Sequence, residues 1–284
     1  MIKNVLRKFI DSSDSTKHID IFSALVTQVP KHSLLDSLYI YRHNKNQYGY
    51  ILQDKNTQKI IAIDCGDYKT QRFNIEALMK ETGGAFTHLF FTSKNSVRSE
   101  GTYDWLKVHP RLNIIKAGSK EDGHIEFIGD LCIFCMRTPG QNDLDTSYVI
   151  TEGNEGSTKT PAVFTGDVLQ TGGCGKFLNP TLMYESLKKL KSLPNETLIF
   201  PSVESAAENL MFSKIIDPNN EFVKSKLEEV KEQKRKNIGQ VLCQERLYNP
   251  FLRCDQKYFL DLFEVKDPIS CLTKMNKMKE KILA

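Results

Sequence analysis

Side chains able to bind a metal, carry a proton or attack a carbonyl are sparse in this chain and poorly spaced for joint work. The six histidines stand at 18, 33, 43, 88, 109 and 124, and no two lie close enough in sequence to form a metal-binding pair. His88, just before an apolar strand, has the setting of a hydrogen-bonded structural histidine rather than a catalytic base. Ser93 has no histidine beside it, which argues against a serine hydrolase. Cys132-Ile133-Phe134-Cys135 is a C-x-x-C, but it lies in a strand-like run where residues three apart point to opposite faces. These read as core or surface cysteines rather than a redox pair. Gly172-Gly173-Cys174-Gly175-Lys176 suggests a phosphate loop, yet it lacks the Walker spacing and the Ser or Thr after the lysine.

At about 150 residues per domain, 284 residues predict one large domain or two unequal ones, and 40% apolar content suffices for a sizeable core. Thirty-nine Lys and Arg against thirty-five Asp and Glu leave +4, with the signs interspersed. The basic run Lys231 to Lys236 is broken by Glu232 and preceded by Glu228 and Glu229, so no nucleic-acid partner is expected. No apolar stretch approaches the ~20 residues that span a bilayer. Seven scattered cysteines, an odd number in a chain too long to need staples, favour a reduced compartment.

The elements that must position any site are legible in outline. Met1 to Ile10 puts Ile2, Val5, Leu6, Phe9 and Ile10 on one helical face, with Lys3, Arg7 and Lys8 elsewhere and no acid before Asp11. Residues 1–20 are therefore expected to form a mitochondrial targeting helix or a helix docked on a partner. Strand character begins near residue 45, at Tyr48 to Leu52 and Lys59 to Ile63, and a helix-period stretch follows at Phe73 to Met79. Strands repeat at Thr87 to Phe91, Asn113 to Lys116, His124 to Ile128, Leu131 to Met136, Thr146 to Thr151 and Ala162 to Thr165, with a helix around Tyr103, Trp105 and Leu106. After Gly175 come a leucine-spaced helix closed by Pro194, a strand at Thr197 to Phe200 and, from Ala206 onward, helices.

Three groups of residues identify a family. Asn46-Gln47-Tyr48-Gly49-Tyr50-Ile51-Leu52, leading to Ile63-Asp64-Cys65-Gly66-Asp67, resembles the opening strand pair of metallo-β-lactamase-fold hydrolases. Val163-Phe164-Thr165-Gly166-Asp167-Val168-Leu169 with Gly172 to Phe177 resembles the glyoxalase II (hydroxyacylglutathione hydrolase) branch, and Met183 to Leu187 with Leu247-Tyr248-Asn249-Pro250-Phe251-Leu252-Arg253 extends the likeness into that branch's C-terminal helices. The resemblance, over roughly residues 45–284, implies an α/β fold: an αββα metallo-β-lactamase sandwich over 21–203, then a helical domain over 204–284. It also implies loops binding two metal ions, which activate a hydroxide to attack a thioester such as S-lactoylglutathione.

The positions that would hold those metals have changed. The motif Thr-His-x-His-x-Asp-His falls on Thr92 to Arg98, so Ser93, Asn95 and Arg98 replace histidines and Val97 replaces the aspartate. Gln141 replaces the histidine after Thr-Pro-Gly, Val203 replaces the final one, and only the bridging Asp167 is retained. A guanidinium has five donors and no lone pair, so Arg98 would repel a metal. An abandoned buried carboxylate needs compensation, and Arg98 or Lys94 is expected to pair with Asp167, with Asn95 and Gln141 adding hydrogen bonds. On the substrate side Lys176 and Lys279 match glutathione-contacting lysines, whereas Leu178 and Ser205 replace tyrosines and Asn276 replaces an arginine. The lysines would be a residual anion site or two solvated surface residues.

The expectation is therefore a catalytically inactive, cofactor-free glyoxalase II-like protein. It would serve as a structural or accessory subunit among the protein subunits of a larger mitochondrial assembly. The alternatives are residual hydroxyacylglutathione hydrolase activity and a thiol-conjugate binding module.

Overall fold

Two sheets face each other across an apolar core in the computed structural model, which describes residues 38–44, 46–94, 101–153, 161–232 and 239–283. The first sheet orders Leu38–Asn44 (β1), Gln47–Gln53 (β2), Lys59–Ile63 (β3), Ala85–Phe90 (β4) and Asn113–Ile115 (β5), antiparallel at its first two junctions and parallel at the next two. Tyr68–Thr82 (α1) and Thr102–Val108 (α2) are its helices. Ile125–Ile128 (β6), Leu131–Arg137 (β7), Thr146–Glu152 (β8) and Ala162–Gly166 (β9) begin the second sheet, and Leu169–Gln170 (β10) with Gly173–Cys174 (β11) makes a separate hairpin. After Pro180–Lys191 (α3), Leu198–Pro201 (β12) joins β9 in parallel. Ala206–Ile216 (α4) and Glu221–Glu232 (α5) follow, then Gln240–Val241 (β13), which completes the order β13-β12-β9-β8-β7-β6. Leu242–Tyr248 (α6), Lys257–Leu262 (α7) and Pro268–Leu283 (α8) are the last helices.

Burial on both faces of the strands explains the layering. In β3, Ile61 and Ile63 face the second sheet, while Ile60 and Ala62 lie under the first helices with Ile75, Leu78 and Trp105. An unbroken apolar run is what such a doubly covered strand requires. In β7 the same alternation puts Ile133 and Cys135 into the inter-sheet core and Met136 against the outer helices, so Cys132 and Cys135 do face opposite ways. The caps follow from local chemistry. Asp67 accepts from Lys69 N at 3.1 Å to start α1, Gly83 ends it at φ 69°, and Asn179 accepts from Leu182 N to start α3.

The C-terminal helices pack on the second sheet through one apolar cluster that joins Val163 and Ile199 to Met183, Phe251, Leu272 and Met275. Within the Asn-Pro-Phe-Leu-Arg segment, Asn249 caps a short 3₁₀ turn at Phe251 N, and Arg253 Nη1 pairs with Asp217 at 2.6 Å in a mostly buried bridge.

Several boundaries differ from the expected ones. The sheet begins with β1, seven residues before the expected start, because Leu38 and Ile40 supply an inward face that the polar Arg42-His43-Asn44 tail obscures. The helix expected at Phe73 starts at Tyr68, where Asp67 caps it. His88 lies inside β4 rather than before it, with burial holding its imidazole below the usual pKa. The segment 1–20 lies outside the described residues.

All seven cysteines are free thiols, and only Cys243 is exposed. Burial pushes the Cys65 and Cys254 thiols well up, Cys174 to about 12 and Cys135 and Cys271 to about 11. A thiol-specific reagent is therefore expected to label one site per native chain, the other six reacting roughly a hundredfold more slowly and only through opening. Peptide mapping after a short pulse checks this; a second thiol labelled at a comparable rate would contradict the packing.

Candidate functional site

Strands β3, β4, β9 and β12 end at one rim, and a single carboxylate stitches those ends together. Asp64, fully buried and left-handed at φ 54°, follows β3. Its Oδ1 accepts from Thr92 N at 2.9 Å, and its Oδ2 accepts from the Thr92 hydroxyl at 2.6 Å and from the Ser202 hydroxyl. Thr92 lies beyond β4 in the first sheet and Ser202 beyond β12 in the second, so Asp64 spans both. Asp64 N donates to Phe90 O and Ser202 N to Gly166 O. Gly166 has φ 58°, and a Cβ there would sit 2.4 Å from the Thr92 hydroxyl oxygen.

This stitching sets the positions that matter. Ser93, buried one residue past Thr92, accepts from Asn142 Nδ2 at 3.2 Å. Asn142 belongs to the loop between β7 and β8 and also donates its backbone N–H to Asp145 Oδ2 at 2.8 Å. Gly140 in that loop packs against Met183 of α3, where a Cβ would meet the Met183 Cα at 2.9 Å. Burial raises the Asp145 carboxyl above its usual range, its hydrogen bonds from Asn142 and Ser93 oppose this, and the Asp167 carboxylate adds to the rise. Asp167, itself buried, is thus close enough to be felt by Asp145.

Ser93 and Asp167 come to the rim with Asp145. Gln141 is half-buried, its amide oxygen without a hydrogen-bond partner among the described residues. Val203 sits on the strand-like bridge to Gln47, between Ser202 and the Glu204 N–H bonded to Asn46 O, and its side chain carries no donor atom. Lys94 is exposed. Asn95, Val97 and Arg98 lie outside the described residues, so the Arg98–Asp167 pair stands as a proposal. Asn142 and Asp145 were not anticipated; the only signal was a polar Gln-Asn-Asp cluster inside the loop after Thr138-Pro139-Gly140.

Two metal ions need several imidazoles and carboxylates with free lone pairs. The described positions offer one retained carboxylate, a serine already hydrogen-bonded to Asn142, an amide and a valine. This donor set does not fit a dinuclear centre. Among the described residues no group of three His, Cys, Asp or Glu side chains is arranged to hold a metal.

The ligand side is also altered. Lys176, exposed, pairs with Glu280 at 3.0 Å. Lys279 is not a solvated lysine: it donates to Cys174 O at 2.9 Å over the Phe251 ring, and burial lowers its pKa. Asn276 donates to Phe177 O at 3.4 Å, Ser205 bonds Gln170, and Leu178 is 85% exposed.

A helix-flanked pair of sheets with its polar cluster at the strand ends defines the metallo-β-lactamase fold. Solved structures agree. A metallo-beta-lactamase from Staphylococcus aureus matches with TM-score 0.55 at 17% identity, covering 82% of this chain and 68% of that one. ETHE1 from Myxococcus xanthus matches with TM-score 0.55 at 20% identity, over 82% and 86%. Within that fold the chain belongs to the glyoxalase II, or hydroxyacylglutathione hydrolase-like, family. A hydroxyacylglutathione hydrolase-like protein of Mus musculus is 31% identical over 223 residues, 74% of this chain and 77% of the relative. One from Gallus gallus is 27% identical over 83% and 86%. The model for the hydroxyacylglutathione hydrolase C-terminus matches residues 204–282.

Proposed function

We propose that this chain is a catalytically inactive member of its family, a scaffold that serves as a structural or accessory subunit of a larger mitochondrial assembly. The observation that carries the reading is the donor set at the rim. Where the family implies metal-binding imidazoles, Ser93 is hydrogen-bonded to the Asn142 amide, Gln141 offers an amide and Val203 offers no donor atom. The strand ends around them remain stitched through Asp64, so the fold is kept while the ligands are not. Lys279 is turned inward onto Cys174 O, which leaves only the exposed, Glu280-paired Lys176 of the two lysines that the family resemblance assigns to an anionic thiol conjugate. The basic, acid-free first ten residues support the mitochondrial placement.

The purified chain, supplied with zinc, iron or manganese, is expected to hydrolyse S-lactoylglutathione at the uncatalysed rate. In cells the tagged chain is expected in the mitochondrial fraction, eluting in a particle much larger than its own 32.5 kDa. Metal-dependent turnover would overturn the loss of activity, and elution as a free monomer would overturn the subunit role.

A further inference from the structure

Three of the C-terminal helices bury one face and leave an apolar row on another. Phe212 and Ile216 of α4, Phe259 of α7, and Leu272 and Met275 of α8 share one buried cluster. Beside them, Met211 and Ile215 stand one turn apart on α4, Tyr258 and Leu262 stand one turn apart on α7, and each is close to half exposed. The two rows are neighbours, because the Tyr258 hydroxyl donates to Ile216 O at 2.9 Å. At ~200 Å² for a large side chain, four half-exposed ones present about 400 Å² of apolar surface, as much as the largest patch that a soluble monomer ordinarily leaves to water.

A cationic row borders this patch. Lys274 Nζ donates to Phe263 O at 2.7 Å, which sets α8 beside the end of α7, and Lys277 and Lys281 continue the row at helical spacing. All three lysines are exposed. Charge on the other helices is balanced locally: Lys188, Lys189 and Lys191 of α3 and Lys224, Lys226 and Lys231 of α5 each pair with a carboxylate. Among the described residues Lys274, Lys277 and Lys281 pair with none. The acids nearby are engaged or stand off the row: Glu280 takes Lys176, Glu208 acts on the inward Lys279, and Asp261 and Glu264 lie at the α7 end.

We propose that this α4–α7–α8 face is where the chain joins its assembly, and that its occupant is a helix of a partner protein, with an apolar stripe over the Met211, Ile215, Tyr258 and Leu262 patch and acidic side chains against Lys277 and Lys281. The inference rests on the subunit reading and adds to it the contact and its chemistry. Charge decides the occupant. A second copy in a two-fold contact centred on this row would set lysines against lysines, and residues 1–10, with Lys3, Arg7 and Lys8 and no acid, would bring like charge as well. An anionic membrane suits the lysines but not the helix. The apolar face of α8, with Leu272 and Met275, is packed in the core and is not free to enter lipid.

The test is carbodiimide cross-linking of the tagged full chain within its native particle, read by peptide mass mapping, since this reagent joins an ammonium to a carboxylate in contact with it. Bonds are expected from Lys277 or Lys281 to an Asp or Glu of another polypeptide. Lys277→Glu combined with Lys281→Glu is expected to lower the share of the chain that elutes with the particle by at least about tenfold, because the reversal sets like charges face to face. Ile215→Asp, which keeps the lysines, is expected to lower it by a similar factor. As isolated chains both variants should melt within error of wild type, the altered side chains being exposed. A wild-type chain in a large particle with both variants co-eluting unchanged would overturn this face and leave the subunit reading standing. A wild-type chain that elutes as a free monomer overturns both. Cross-links to a second copy alone, or wild-type sedimentation with phosphatidylglycerol vesicles that the double variant loses, would overturn the acidic helix as occupant. If the variants do not fold, the wild-type cross-links decide: bonds from this row to another polypeptide support the face, and their absence while other lysines cross-link overturns it.

Discussion

Asp64→Ala is expected to cost about 4 kcal/mol of folding stability, a large share of what a domain of this size possesses. Three donors converge on that carboxylate, Thr92 N, the Thr92 hydroxyl and the Ser202 hydroxyl, and all lie in a buried rim. Alanine leaves them unpaired, each at the desolvation penalty of a buried polar group. It also puts a Cβ-bearing residue without a compensating polar side chain at φ 54°, where the left-handed conformation costs about another 1 kcal/mol. Asp64→Asn keeps an acceptor oxygen and tolerates that backbone, so its loss is expected to be about half as large. Urea unfolding measures both. A midpoint for Asp64→Ala within error of wild type would show that the rim is held by other contacts, and the account of how the two sheets are joined would fail.

Much of the fold was legible because burial demands it of the sequence. The run Lys59 to Ile63 reads as a strand and is one, and the strand-like run Leu131 to Met136 requires its two cysteines to face opposite ways, as they do. Elements made by the backbone alone were not legible. β13 is two residues long and pairs with β12 through main-chain bonds, leaving no side-chain pattern to read. The start of α1 was not legible because Asp67 caps it through its carboxylate, which accepts from the Thr70 hydroxyl and from Lys69 N, a signal hidden in a loop-like Asp-Cys-Gly-Asp.

The rim divides in the same way. Ser93, Gln141, Asp167 and Val203 could be named by resemblance to a motif, but the partners that determine their chemistry could not. Asn142 reaches Ser93 across 49 residues, and Asp145 is perturbed by burial, a property of the folded chain. Resemblance alone makes Lys279 an anion contact or a solvated lysine; the structure turns its ammonium onto Cys174 O. A positive charge in a sequence says nothing of whether a carbonyl is waiting for it.

Rebuilding the ligand set is expected to produce the largest change in this protein. With Ser93→His, Asn95→His, Val97→Asp, Arg98→His, Gln141→His and Val203→His combined, bound zinc should rise from well below one to near two per chain, joining the retained Asp167. The reason is chemical: zinc needs about four lone-pair donors, and zinc-bound water reaches a pKa of about 7 rather than 15.7. Thioester hydrolysis by the rebuilt chain is therefore expected to exceed the parent by at least about a thousandfold. Arg98→His alone should change neither quantity, since one imidazole and one carboxylate do not complete a site. The strand ends that would carry these groups are held by Asp64 and by main-chain bonds, which the six substitutions leave in place. Elemental analysis and a thioesterase assay on the three proteins settle the matter. If the parent already carries stoichiometric zinc and hydrolyses the thioester, the loss of chemistry proposed for this scaffold is wrong. If the rebuilt chain folds but binds no metal, the rim itself has closed around Asp145 and Asn142, and the departure from the family extends beyond the ligands.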